Sequence, residues 1–62
     1  MKYDDIIEGM FCRLKYDIKV EVMGKDYYGT RANVYVREVD SGHTYRVSPR
    51  DLQELLNKKE LK

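Results

Sequence analysis

Residues 48–56 read Ser48-Pro49-Arg50-Asp51-Leu52-Gln53-Glu54-Leu55-Leu56, directly after a run of alternating apolar and charged side chains. Up to Val47 apolar residues recur at every second position; from Leu52 the spacing becomes three and four. Strand side chains alternate between faces, whereas helical ones return to a face after three or four residues. The switch therefore predicts a small sheet or barrel finished by one amphipathic helix. Ser48 suits the N-cap and Pro49 the first helical position, while Asp51 can reach back to the cap amide and meets the positive end of the helix dipole. Leu52, Leu55 and Leu56 would form one apolar stripe, with Lys58, Lys59 and Lys62 near the negative C-terminal end. The expected helix covers 48–60.

Upstream, residues 3–9 read as one helical turn or an extended lead-in, with Ile6 and Ile7 tucked under the sheet and Gly9 ending the segment. Met10, Cys12, Leu14 and Tyr16 share one face of a strand, and Ile18, Val20 and Val22 one face of a second, with a bend at Tyr16-Asp17. Gly24-Lys25-Asp26-Tyr27-Tyr28-Gly29 reads as a loop. Thr30–Val39 is the clearest strand, with Ala32, Val34 and Val36 inward. Asp40-Ser41-Gly42-His43 is a hairpin connection, and Thr44–Val47 returns with Tyr45 and Val47 inward.

Sixty-two residues make a single domain, 1–62: lead-in 1–8, strands 9–47, then the helix. Such a chain buries only about 60% of its unfolded surface, so the core is thin and a deep pocket has little room. With 12 basic and 11 acidic residues the net charge is +1, which implies neither nucleic acid nor membrane in bulk. Cys12 is the only cysteine, and neither a signal-peptide pattern nor an apolar run of membrane-spanning length is present. A soluble protein of the reducing cytoplasm is expected, monomeric or weakly dimeric and without a membrane partner.

The alternating strand Gly9-Met10-Phe11-Cys12-Arg13-Leu14, the glycine-bearing central segment and the turn Val47-Ser48-Pro49-Arg50-Asp51-Leu52 together resemble the SH3-like small β-barrels, the group that includes KOW and Tudor modules. The likeness covers residues 9–56 and rests on strand lengths and turn positions. It implies a mainly β fold, a barrel or half-barrel of four to five antiparallel strands with the C-terminal helix added. Tyr28-Gly29-Thr30-Arg31-Ala32 is the nearest approach to a KOW fingerprint and lacks its second glycine. A chromodomain-like arrangement, three strands with a helix across them, is the alternative. Neither likeness carries an activity with it.

The strand alternation turns Arg13, Lys15, Lys19, Arg31, Arg37 and Arg46 outward with Glu21 as the sole acid, alongside Phe11, Asn33, Tyr35 and Thr44. Basic side chains interleaved with an aromatic are what a sheet needs to hold phosphates and stack bases. Exposed Lys and Arg also serve merely to keep strand edges soluble. A nucleic-acid-binding module is the leading expectation, with Arg13, Lys15, Arg31, Tyr35, Arg37 and Arg46 as its contacts. The alternative is a protein-interaction module or small regulator that uses Tyr27 and Tyr28 of the central loop. His43 has no second ligand at metal spacing, and Cys12 falls at an inward position where a thiol is inert. No catalytic residue, metal or cofactor is expected, and the protein is read as not an enzyme.

Overall fold

In a computed structural model that describes residues 1–57 and 59, the chain forms five antiparallel strands. They are β1 (Phe11–Arg13), β2 (Lys19–Tyr28), β3 (Arg31–Glu38), β4 (Thr44–Val47) and β5 (Glu54–Leu55), and they form one sheet in the order β4-β3-β2-β1-β5. The sheet does not close, because β4 and β5 are its two edges. Single 3₁₀ turns occupy Tyr3–Asp5, Lys15–Asp17 and Pro49–Asp51.

The inner face carries Cys12, Val20, Val22, Val34 and Val36, which together with Ile6, Leu14, Leu52 and Leu56 are the buried core. These alternating positions follow the sequence period, as expected for a sheet with one packed face. Ile6 closes under the sheet while its neighbour Ile7 stays 65% exposed. Gly9, at φ 94°, turns the lead-in so that its amide reaches the Val22 carbonyl at 2.8 Å.

The expected C-terminal helix is not formed over the described residues. Ser48 does cap a turn: its hydroxyl accepts from the Arg50 amide, and Asp51 accepts from the Ser48 amide at 3.0 Å. One turn is all that follows, for Leu52 is extended (φ −80°, ψ 112°) and the chain then pairs with β1. Gln53 donates to the Arg13 carbonyl and Leu56 to the Phe11 carbonyl, each at 2.8 Å. A helix there would leave those β1 carbonyls without ladder partners, and an unpaired buried carbonyl costs more than helix propensity returns. Leu52 and Leu56 are buried as expected, but Leu55 is 58% exposed. Of the expected helix, Lys58 and Glu60 lie outside the described residues.

Two further expectations change. The segment Gly24–Gly29 is no loop: β2 runs through to Tyr28, and the connection to β3 is only Gly29-Thr30, with Gly29 at φ 63°. Within β2 the register slips between Val22 and Gly24, where Met23 is the extra residue of a bulge. A bulge exchanges the faces beyond it. Lys25 and Tyr27 therefore take inward register positions, opposite Val34 and Ala32, and Asp26 and Tyr28 take outward ones. The first strand is also shorter than its pattern. It ends at Arg13, and the expected bend at Tyr16-Asp17 is a turn in which both residues have φ 61°. Tyr16, expected inward, is 89% exposed. Tyr45 keeps inward register, opposite Val36, yet at the β4 edge it remains partly exposed.

Candidate functional site

The outward basic residues differ in what surrounds them. Arg13 is held by acids on both sides: its Nε is 2.8 Å from Asp17 Oδ1, and its Nη1 pairs with Glu54 Oε1 of β5. Arg37 of β3 meets Glu21, its direct cross-strand neighbour on β2, at 2.7 Å. Both guanidinium groups are neutralised locally. Lys15 stands on the 3₁₀ turn and not on a strand, and it does not line the groove described below.

Arg31, Arg46 and Arg50 are arranged differently. Arg31 opens β3, Arg46 lies in β4, and Arg50 sits in the capped turn, so three separate elements bring them to one open groove of about 1030 Å³. Among the described residues no carboxylate lies within ion-pairing distance of any of the three. Asp51 also lines the groove, but its carboxylate is engaged by the Ser48 amide. Met1, Ala32, Val47 and the buried Pro49 supply the apolar part of the lining.

The groove exists because β4 is short. It ends at Val47, opposite Val34, so Arg31, Ala32 and Asn33 of β3 have β2 on one side and no strand on the other. The Ser48–Asp51 turn stands across that gap, and Tyr28, opposite Arg31 at the hairpin tip, joins the lining. Capping fixes this turn, and with it the position of Arg50.

Tyr35 faces outward between Gly24 on β2 and Arg46 on β4. Its hydroxyl donates to the Asp26 carboxylate at 3.1 and 3.2 Å and also meets the Arg46 side chain. The hydrogen bond to Asp26 raises the Tyr35 pKa, with partial burial and the Asp26 charge adding to it and Arg46 opposing. The tyrosine is thus tied to Arg46, one of the arginines that line the groove.

Tyr27 and Tyr28, expected as a pair, are separated by the alternation of β2. Tyr27 packs against Tyr3 with ring centroids 4.4 Å apart, and Lys25 lies 4.3 Å above the Tyr3 ring while donating to the Tyr3 carbonyl at 2.7 Å. Tyr27 thereby secures the N-terminal turn to the hairpin arm. Tyr28 is on the opposite face and 81% exposed. The two rings do not converge into an aromatic cage.

A second polar cluster stabilises the β3–β4 hairpin. Ser41 and Tyr45 donate to the two oxygens of Glu38 at 2.5 and 2.7 Å, and Gly42, at φ 80°, completes the turn. The Ser41 hydroxyl and then Tyr45 lower the Glu38 pKa, while partial burial and Glu38 push Tyr45 up to about 12. His43, in the same turn, has a backbone bond to the Ser41 hydroxyl at 3.3 Å. Cys12 is buried, its thiol pKa raised by desolvation, with the Met1 sulfur at 3.7 Å. No group of three His, Cys, Asp or Glu side chains that could hold a metal ion occurs among the described residues. No helix among them is long and apolar enough to cross a membrane.

Reading outward positions off the sequence finds Arg31, Arg46 and Tyr35, and names Tyr28 only as a protein-binding residue of a loop. It misses Arg50, which falls in the expected helix, and Asp26, which falls in the expected loop. A signal for Arg50 was nonetheless present, since Ser-Pro-x-Asp fixes the residue between Pro49 and Asp51 as firmly at one turn as at the start of a helix. Comparison with protein-family models, curated proteins and solved structures found no match to this chain.

Proposed function

We propose that the protein is a non-enzymatic, SH3-like half-barrel module that binds nucleic acid through the groove of Arg31, Arg46 and Arg50. The observation that carries this reading is one groove lined by three arginines, from three elements, with no carboxylate in an ion pair with them among the described residues. Three arginines against the single carboxylate of Asp51 leave the lining of the groove net positive, and phosphates bind such a surface with release of their own condensed cations. Planar guanidinium forks suit phosphate oxygens better than lysine does, and the cluster is entirely arginine. Arg13 and Arg37 belong to the scaffold in this reading, because each already satisfies a carboxylate. An unpaired buried thiol in Cys12 is in keeping with a reducing compartment.

The test is an amide NMR titration with short mixed-sequence RNA and DNA at low and near-physiological salt. Shifts should cluster on Arg31–Asn33, Arg46–Asp51 and Tyr35, and should weaken as salt rises. A titration that moves β1 and the Lys15–Asp17 turn instead, or nothing at all, would remove the groove as the binding site.

A further inference from the structure

Resting on the nucleic-acid reading above, we infer that the ligand of this groove is a single strand, with a base stacked on Tyr28 and the neighbouring phosphates on Arg31, Arg46 and Arg50. Tyr28 is 81% exposed, and among the described residues neither a ring contact nor a hydrogen bond holds it. It stands directly across β2–β3 from Arg31 on the same face, beside the two-residue turn. Cross-strand partners have Cβ atoms about 5 Å apart, so a base lying on the ring brings its own phosphate to the adjacent guanidinium. Arginine grooves with an aromatic platform are the general solution for single strands, because every base has a stacking face once it is unpaired.

A duplex uses this surface poorly. Its bases are already stacked on one another, so the Tyr28 ring would gain nothing without melting the helix. Its phosphates form convex rows, whereas Arg46 and Arg50 line a concavity behind the hairpin arm. The arm itself could enter a major groove as a two-stranded ribbon. Its tip is ill-suited to that, since of its two basic residues Lys25 is bound to the Tyr3 carbonyl and only Arg31 has no such tie. An acidic peptide would meet the same arginines, but the free edge of β3 beside the groove spans only Arg31–Asn33, too short to add a strand.

The experiment is fluorescence anisotropy with one labelled mixed-sequence oligonucleotide as single-stranded DNA, as single-stranded RNA and as duplex DNA, plus labelled poly-glutamate. The wild-type chain and its Tyr28→Ala, Tyr28→Phe and Arg46→Ala variants are compared. The expected result is tighter binding of single strands than of duplex. Tyr28→Ala should weaken single-strand binding about fivefold or more and leave duplex binding alone, whereas Tyr28→Phe should stay near wild type. Because Tyr28 is exposed, loss of the ring should not unfold the domain, and circular dichroism verifies this. Equal affinity for duplex and single strand, or no effect of Tyr28→Ala while Arg46→Ala still weakens binding, overturns the single-strand inference and leaves the nucleic-acid reading standing. Binding of poly-glutamate alone, or of no probe, overturns both.

Discussion

The division of the arginines into two classes predicts a measurable difference in counter-ion release. For single strands the logarithm of the binding constant falls with the logarithm of salt by about 0.7 per phosphate neutralised. Three groove arginines each holding one phosphate give a slope of about −2, so raising salt from ~50 to ~200 mM should weaken binding roughly 20-fold. Arg46→Ala removes one contact; the slope should become about −1.4 and the loss over the same range about 7-fold. Arg31→Ala and Arg50→Ala should do the same. Arg13→Ala and Arg37→Ala should leave the slope at its wild-type value, because Asp17, Glu54 and Glu21 already balance those charges. Their cost should fall on stability instead, within about 1 kcal/mol for the exposed Arg37–Glu21 pair and more for the half-buried Arg13. The assay is anisotropy of a labelled single-stranded oligonucleotide across a KCl series, with circular dichroism confirming that every variant is folded. A slope unchanged by all three groove substitutions, or one lowered by Arg13→Ala or Arg37→Ala, would refute the division.

Other expectations concern the scaffold. Leu52 is 1% exposed, so Leu52→Ala should cost about 2–5 kcal/mol, comparable to the whole stability of so small a domain, and should abolish the thermal transition. Ser48→Ala removes the cap of the turn that carries Arg50 and should cost about 1 kcal/mol in urea denaturation. In the alkaline range the folded protein holds the Tyr45 proton up to about 12, above the unfolded value of 10.0, so that contribution is complete below pH 10.0 and is lost as pH rises toward 12. Glu38 has the opposite sign: its lowered pKa stabilises the fold above its ordinary value of 4.5, and that contribution disappears as pH falls through the lowered one. Thermal melts from pH 3 to 12 should show both limbs, and Tyr45→Phe should flatten the alkaline one.

Much of the sheet was legible because its inner face is uninterrupted where the period is clean. Val20, Val22, Val34 and Val36 alternate in sequence and are all completely buried. The reading failed where a long-range demand overrode a local pattern. Leucines spaced three and four apart suit a helix, but the β1 carbonyls of Phe11 and Arg13 required partners, and only the distant backbone of Gln53–Leu56 could supply them. No local signal announces that. The bulge at Met23 is similarly quiet, since Gly24 looks like the start of a loop, and missing it placed Asp26 and Tyr28 off the sheet. For the candidate site, orientation could be read from parity, but ion pairing could not. Arg13 gains its partners from a left-handed turn and from β5, both of which exist only once the chain has folded.

The strand order also bears on how the chain reaches this structure. β1 to β4 form a meander in which each strand pairs with its successor, whereas β5 joins β1 across the three strands between them in sequence. Ring closure of that kind costs entropy that only the completed contact returns, so β5 should dock late, after the meander has collapsed. Substitutions at Glu54 or Leu55 should then accelerate unfolding and leave the refolding rate almost unchanged, whereas substitutions at the Gly29-Thr30 turn should slow refolding. The Arg50 side of the groove, anchored just before β5, would be the last part of the binding surface to be completed.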